Sequence, residues 1–407
     1  MRRKGRKGPS VSSPEGSFCC LTEDLLMDIL SRLPPKPLVT CKSVSKTFHR
    51  LVSTLIHSPT VPGPLSGLFI GQVDLIQEEM ESYEYFNLPG NGVYLDDEIN
   101  MEDSLSFLPC DPDTRVFDCR DGIILCGNAD SDDGDICYVC NPVTKQWVVL
   151  PPPPKHGFSS TCNYDVNLAL ALDGSSDVFV SHYKVFLFVT LNDVTKDENG
   201  EPLTYLYVHV YSSKTGQWVV SNGYLIGTRL RPLHKRVVFL NGALFLAADP
   251  SLFLMFDVEE QYISVTNLPT NSDTPEFIPS VCFGESQGAL HYAYHNDLKM
   301  EVWMFEESEW VVKHKINLKN IGFPKPLLDV DLYEFPIDVE PVDILAFHPT
   351  KDAIFLRNQG DFLCYDFTSG ALETVMRCDS GATVSMWYLV FPFSKCLRIL
   401  ANAHQRV

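Results

Sequence analysis

Three constellations in this chain have the residue types for chemistry. Cys137 and Cys140 form a C-x-x-C, the spacing of half a zinc site or of a redox dithiol. Asp130, Asp132, Asp133 and Asp135 crowd around Gly134, as acids do in calcium loops. His291 and His295 stand four apart, a spacing used by metal ligands on helices. None completes its chemistry. The cysteines fall in a strand pattern, which sends them to opposite faces, and no second pair joins them. A redox dithiol needs a helix N-terminus, which a strand does not supply. The aspartates miss the alternating ligand positions, and no glutamate closes the loop. They read as a solvated hairpin loop, and Asp193 to Gly200 reads the same way. The two histidines also lie in a strand pattern, without a third ligand nearby. Glycine-rich phosphate loops, H-E-x-x-H and G-x-S-x-G are all absent. No catalytic residue, metal ligand or cofactor is therefore expected.

The elements that would position any such groups are mostly short strands. At 407 residues, with 45% apolar and 11% aromatic residues, the chain can bury a large core, and 28 prolines and 24 glycines suit many turns. The formal net charge is -20, although Arg2, Arg3, Lys4, Arg6 and Lys7 crowd the first seven residues. A body this acidic lacks the basic footprint for nucleic acid or an anionic membrane, so neither partner is expected. Thirteen cysteines, an odd number, are scattered through strands behind no secretory leader. They read as reduced core residues of a nuclear or cytoplasmic protein. Residues 1–17 read as a disordered basic tail, with RRKGRK either a nuclear signal or a solvated patch.

One segment has helical periodicity. Leu25, Ile29 and Leu33 recur at spacing four, with Leu26 and Leu30 in the next row. Thr22 stands where an N-cap belongs, Glu23 and Asp24 suit the helix dipole, and Pro34 and Pro35 stop the helix. Leu38, Cys41, Val44, Phe48 and Leu51 then recur every three or four residues. A unit of some forty residues without a metal or a disulfide is too small to hold a core alone. Its apolar face must rest on the β body or on another protein, and periodicity leaves both open.

The residues here resemble an F-box over about 18–57. The resemblance is carried by Leu21-Thr-Glu-Asp-Leu25-Leu-Met-Asp-Ile29-Leu30-Ser-Arg-Leu33-Pro34, Pro37-Leu38, Val44-Ser45-Lys46-Thr47-Phe48 and Leu51-Val52. Thr22 replaces the family's usual proline, and Phe48 its common tryptophan. The resemblance implies docking on a Skp-type adaptor and, through it, on a cullin–RING ubiquitin ligase. Carried over by position, the adaptor contacts are Leu21, Leu25, Ile29, Leu30, Leu33, Pro34, Leu38 and Val44.

From residue 65 a repeat takes over. A turn residue opens a short apolar strand, and an aromatic–turn–aromatic element follows 20 to 35 residues later. Asp121-Gly122 leads to Asn141-Pro142-Val-Thr144-Lys-Gln-Trp147. Tyr183 leads to Tyr211-Ser-Ser-Lys-Thr-Gly216-Gln-Trp218. Asn241-Gly242 leads to Tyr262, Gln287-Gly288 to Trp310, and Lys351-Asp352 to Leu372. A weaker copy begins at Gly67, and a closing stretch runs from Met386 to Leu400. Trp147, Trp218 and Trp310 read as structural repeat residues that pack on the sheets. The strand number fits six to seven four-stranded blades or two packed sandwiches. The wide gaps between closing aromatics hold either insertions or a further blade. Residues 115–155, with Tyr138-Val-Cys-Asn141-Pro142-Val-Thr144-Lys-Gln-Trp147, also resemble the kelch-like associated domain of plant F-box proteins. The resemblance implies that this domain recruits a protein for ubiquitination.

The reading is α+β overall: a small N-terminal helical F-box, then an all-β, propeller-like repeat domain over 65–403. The expected function is non-catalytic, the substrate-recognition subunit of a cullin–RING ligase. The alternative is a β-propeller enzyme or ligand-binding module with the helices as a cap. Loops 192–202, 228–236 and 320–340 are candidate target contacts.

Overall fold

The computed structural model describes residues 21–31, 41 and 44–56. From 65 to 405 it describes all residues except 75–79, 89–104, 110–113, 129–135, 154–162, 173–178, 181, 197–201, 221–222, 227–230, 250–251, 270–280, 297–298, 325–341, 378–385, 397 and 401–402. The expected basic tail, its nuclear signal and the Asp130–Asp135 loop lie outside these residues, as do parts of the three candidate loops. The chain divides into two units, Met1–Pro59 and Thr60–Val407.

The second unit is a β-propeller of six blades. Blade 1 holds β3 (Arg115–Arg120), β4 (Ile123–Asn128), β5 (Ile136–Asn141) and β6 (Gln146–Val149), hydrogen-bonded in that order. Blade 2 holds β7 (Asn163–Leu172), β9 (Tyr183–Lys196), β10 (Pro202–Ser212) and β11 (Gln217–Val220), with β12 (Tyr224–Ile226) also on β10. Blade 3 runs β13 (Arg231–Leu240), β14 (Ala243–Asp249), β15 (Leu252–Asp257), β16 (Tyr262–Asn267). Blade 4 runs β17 (Val281–Ser286), β18 (Ala289–Asn296), β19 (Lys299–Glu306), β20 (Glu309–Asn317). Blade 5 runs β21 (Asp343–Phe347), β22 (Ala353–Asn358), β23 (Asp361–Asp366), β24 (Leu372–Met376). Blade 6 joins the two ends of the unit, with order β25 (Met386–Ser394), β1 (Leu65–Asp74), β2 (Met80–Asn87).

The first strands touch in a closed cycle, β3 to β7 to β13 to β17 to β21 to β25 and back to β3. That cycle settles six blades and excludes two sandwiches. The wide gap between Trp147 and Trp218 holds no further blade; the long strands of blade 2 and a short β8 (Phe179–Val180) fill it. The Asp-Gly, Asn-Gly and Gln-Gly turns join first to second strands, so those blades begin one strand earlier than the repeat suggested.

Each blade is buried on both faces, and this explains its apolar runs. In β4, Ile123 and Leu125 pack toward blade 2, while Ile124 and Cys126 pack toward blade 6. Six such apolar clusters fill the six interfaces between neighbouring blades. Alternation then sorts residues by neighbour rather than by core and solvent.

Beyond β25 the chain returns to blade 1. β26 (Ile399–Leu400) pairs in parallel with β8, and β27 (His404–Gln405) adds to the outer edge of β6. The β unit thus runs past the expected limit at 403. Asn141 Nδ2 donates to the carbonyls of Cys396 (3.2 Å) and Arg398 (2.7 Å), and the Leu400 N–H donates to Gln146 Oε1 (3.2 Å).

The third-to-fourth turns of blades 1, 3 and 5 share one design. Asn141 Oδ1 accepts from the Val143 N–H, Asp257 Oδ1 from Glu259 and Glu260, and Asp366 Oδ1 from Thr368 and Ser369. The fourth loop residue takes positive φ: Lys145 at 53°, Gly216 at 67°, Gln261 at 51°. Blades 1 and 2 continue from this turn into the same four residues, Gln146-Trp147-Val148-Val149 and Gln217-Trp218-Val219-Val220.

Gly122 and Gly242 occupy matching first turns with φ of +78° and +84°. A Cβ on Gly122 would meet the Ser394 carbonyl at 2.4 Å, whereas one on Gly242 would meet nothing within 4 Å. Gly242→Ala should cost about 1–2 kcal/mol, the left-handed penalty alone. Gly122→Ala should cost at least about twice that, because it also pushes the end of β25 away from blade 1. Urea unfolding midpoints of the two variants check the order.

Candidate functional site

In the first unit, α1 (Glu23–Ser31) and α2 (Lys46–Ile56) lie against each other. The Leu26 N–H donates to the Thr22 carbonyl (3.0 Å), which places Thr22 at the N-cap position. Ser45 caps α2, its Oγ accepting from the Phe48 N–H at 3.1 Å. Arg50 on α2 donates to Glu23 on α1, an exposed pair that sets register more than it stabilises.

The helical spacing sorts the leucines. Leu26 and Leu30 of α1 are buried, as are Leu51 and Val52 of α2. Leu25 is 51% exposed, Ile29 47% and Val44 65%, and Leu21 is also exposed. Of the expected adaptor contacts, Leu21, Leu25, Ile29 and Val44 are thus available at the surface. Leu30 is 2% exposed. Leu33, Pro34 and Leu38 lie outside the described residues. Leu21, Leu25 and Ile29 form one row at spacing four, beside the row of the buried pair Leu26 and Leu30.

In the propeller, the chemistry-bearing residues are locked into structure. Cys137 packs toward blade 2 and Cys140 toward blade 6, so the C-x-x-C is split across two interfaces. Cys140 instead approaches Cys126, with Sγ atoms 3.8 Å apart. Their mutual hydrogen bond, then burial, pushes the Cys126 thiol well above its usual range. His295 Nε2 donates to the Val342 carbonyl at 2.6 Å, and His291 Nδ1 to the Ala289 carbonyl at 3.0 Å. Among the described residues no group of three or more His, Cys, Asp or Glu is arranged to hold a metal.

The axis of the ring is filled. Arg120 of blade 1 reaches Glu285 of blade 4, directly across, with Nη1 to Oε2 at 2.9 Å. Arg236 of blade 3 lies over the ring of Phe391 of blade 6, again across, at 5.5 Å from the centroid. The cavity beside Arg236, lined by Cys282, Phe283, Leu345 and Val390, measures about 10 Å³. That holds one water at most, far below the ~300 Å³ of a small-molecule pocket.

The three tryptophans of the repeat are half-buried. Trp147 faces Phe107 at 6.1 Å, and Trp310 meets Phe253 and Phe305, each at 5.1 Å. Trp218 meets Tyr211 at 5.5 Å and donates through Nε1 to the Pro151 carbonyl at 2.9 Å. The antiparallel order puts first-to-second and third-to-fourth turns at one end of the ring, and second-to-third loops and blade-to-blade links at the other. The first end carries most of the tight turns, with Leu65 opposite Ser394 there. The second carries the long connections. Sequence reasoning missed the returning tail, because β26 and β27 are two residues each and no periodicity marks so short a strand.

Comparison with known proteins follows the same division. The F-box domain family matches residues 18–57. The family described as "F-box protein At3g26010-like, beta-propeller" matches residues 104–347. The chain is similar to the Arabidopsis thaliana F-box protein At5g07610, at 27% identity over 79% of this chain and 76% of that protein. It is similar to the A. thaliana F-box protein At3g26010 at 31% identity, over 74% of this chain and 69% of that protein. Among solved structures, a Fusarium graminearum GH93 α-L-arabinofuranosidase in complex with arabinobiose aligns with a TM-score of 0.37 at 11% identity. The alignment covers 67% of this chain and 82% of that one, a likeness too loose to speak to function.

The buried histidines make the propeller acid-sensitive. Burial pushes His291 and His348 down to about 4 and lowers His295 as well. His348 Nδ1 accepts from the Thr350 and Lys351 N–H groups, bonds that a proton there would break. Unfolded histidine takes a proton near pH 6.5, while His291 and His348 refuse it until about 4 and His295 takes it later than an unfolded histidine does. The unfolded chain therefore binds more protons between those values, and stability falls as pH drops through that window. Asp352 adds loss at lower pH still: burial would raise its carboxyl, but Lys313 and His314 outweigh it and hold the group low. The urea midpoint should fall between pH 7 and pH 4.5, and His291→Gln should flatten that fall.

Proposed function

Because the chain belongs to the family of F-box proteins with an At3g26010-like β-propeller, we propose that it is the substrate-recognition subunit of a cullin–RING ubiquitin ligase. The helical unit binds a Skp-type adaptor, and the propeller holds a protein target. The chemistry is proximity: a lysine of the held target meets the ubiquitin carrier at high effective concentration, and no residue of this chain needs to be catalytic.

The observation that carries this reading is the exposed apolar row Leu21, Leu25 and Ile29, with Val44, on a unit whose own core is Leu26, Leu30, Leu51 and Val52. These side chains are about half exposed, so completing their burial against an adaptor yields on the order of 3–6 kcal/mol gross, before association costs. The end of the propeller with the long connections supports target binding, since variable loops on a rigid scaffold are where recognition residues collect. The acidic body favours a protein target over nucleic acid.

The test is capture of a Skp-type adaptor by the full chain. Leu25→Asp and Ile29→Asp should each reduce retention at least tenfold while leaving the circular dichroism spectrum unchanged; retention equal to wild type would defeat the reading. Deleting residues 1–59 separates this from the cap alternative. The remaining chain should unfold with the same urea midpoint as the full protein, whereas a helical cap would lower it.

A further inference from the structure

The two copies of Gln-Trp-Val-Val are in different states. In blade 1, β6 is not the outermost strand: β27 adds to it antiparallel, His404 opposite Trp147 and Gln405 opposite Gln146. In blade 2, β11 has the same four residues after a similar turn, Thr144-Lys145 in one and Thr215-Gly216 in the other. Yet among the described residues β11 pairs only with β10, and no strand lies on its outer side. Its Val219 is 60% exposed and its Val220 54%.

An open edge strand presents unpaired N–H and C=O groups, and proteins usually blunt it with charge. β20 follows that rule with Glu309, Lys313 and Lys315, and β24 has Glu373. β11 has no charged residue at all. The outer strand β16 is also uncharged, but no twin of it takes up a strand elsewhere in the molecule. β11 has a twin that does, and the twin shows what it accepts. The strand on β6, His404–Gln405, and the strand Ile399–Leu400 before it belong to a stretch without a charged residue from 399 to 405. Its approach is fixed by a side-chain hook, Gln146 Oε1 accepting the Leu400 N–H at 3.2 Å. Gln217 stands at the matching position in β11, with an exposed side chain.

We propose that the outer edge of β11, Gln217–Val220, is a strand-addition site for an extended, uncharged segment of the recruited protein. The segment pairs antiparallel with β11, and the Gln217 amide accepts one of its backbone N–H groups as Gln146 does for the tail. Backbone pairing supplies the affinity, and the lack of charge is the selection, because a lysine or glutamate would sit against Val219 and Val220. The chain's own tail does not serve, since it is held on blade 1 by Asn141 and by β8. The segment's ownership by a target rests on the ligase reading; the site itself does not.

The probe is a fluorescent peptide of residues 399–405 with blocked termini, titrated into the full-length protein, whose own tail stays on β6. Anisotropy should rise to saturation, and amide exchange should slow over 217–220. Val219→Asp, at an exposed position, should weaken binding at least tenfold with an unchanged circular dichroism spectrum. Val149→Asp, at the exposed position of β6 that matches Val220, should leave peptide affinity within twofold. Absence of saturable binding would overturn the proposal, as would slowed exchange at 146–149 instead, which would mean the peptide merely replaces the tail. So would slowing at 217–220 that grows with protein concentration without peptide, which would make a second copy the occupant. Ile29→Asp should still bind the peptide, so loss of adaptor capture and loss of this site are read separately.

Discussion

The pairing of Leu65–Asp74 with Met386–Ser394 is the constraint on which the β unit depends. Each blade buries both faces, so each needs two neighbours. A row of blades with free ends would leave two apolar faces in water. The ring removes both by making blade 6 from opposite ends of the unit, and Lys395 N–H donates to Ser66 Oγ at 3.2 Å across 329 residues of chain. The entropy of closing so long a loop grows only with the logarithm of its length, while two whole interfaces are gained. Closure must also be late and slow, because its contacts are non-local.

The groups on the axis follow from the same closure. A six-membered ring places blade 1 opposite blade 4 and blade 3 opposite blade 6. Arg120 with Glu285, and Arg236 over Phe391, span those diameters. Each cation lies near the centre, where Asp118 also accepts the Leu170 N–H at 2.8 Å and ties two first strands together. These contacts fill a space that in a ligand-binding ring would stay open.

Much of this was legible in the sequence, for identifiable reasons. The Asx turns at Asn141, Asp257 and Asp366 show as spacing, because a side chain that bonds its own backbone leaves a local signature. The helical unit shows as period, down to the row Leu21, Leu25 and Ile29. What was not legible is long-range. Apolar runs such as Ile123 to Cys126 state that both faces are covered, but not by which strands. The blade count waited on the pairing of β1 with β25, a fact held by neither segment alone. Spacing places Leu30 with Leu26 in the neighbouring row, and the resemblance names it an adaptor contact; both of these leucines are buried. The tail on β6 was invisible because two-residue strands have no pattern, although the repeated Gln-Trp-Val-Val was already on the page.

The exposed leucine row has an energetic meaning of its own. Leaving Leu25 and Ile29 half in water forgoes on the order of 1 kcal/mol each, in a unit whose buried set is small. Leu25 and Ile29 lie beside Leu26 and Leu30 on one broad apolar stripe, of which α1 buries only the second row. The unit therefore has more apolar surface than its own fold can cover. Such a surplus, arranged as a stripe rather than scattered, is the mark of a face made for another molecule. The propeller shows the opposite policy, with its apolar strands covered on both sides and its ring shut. The two units thus treat apolar surface in opposite ways: the propeller covers its apolar strands by closing into a ring, and the helical unit leaves one apolar row exposed.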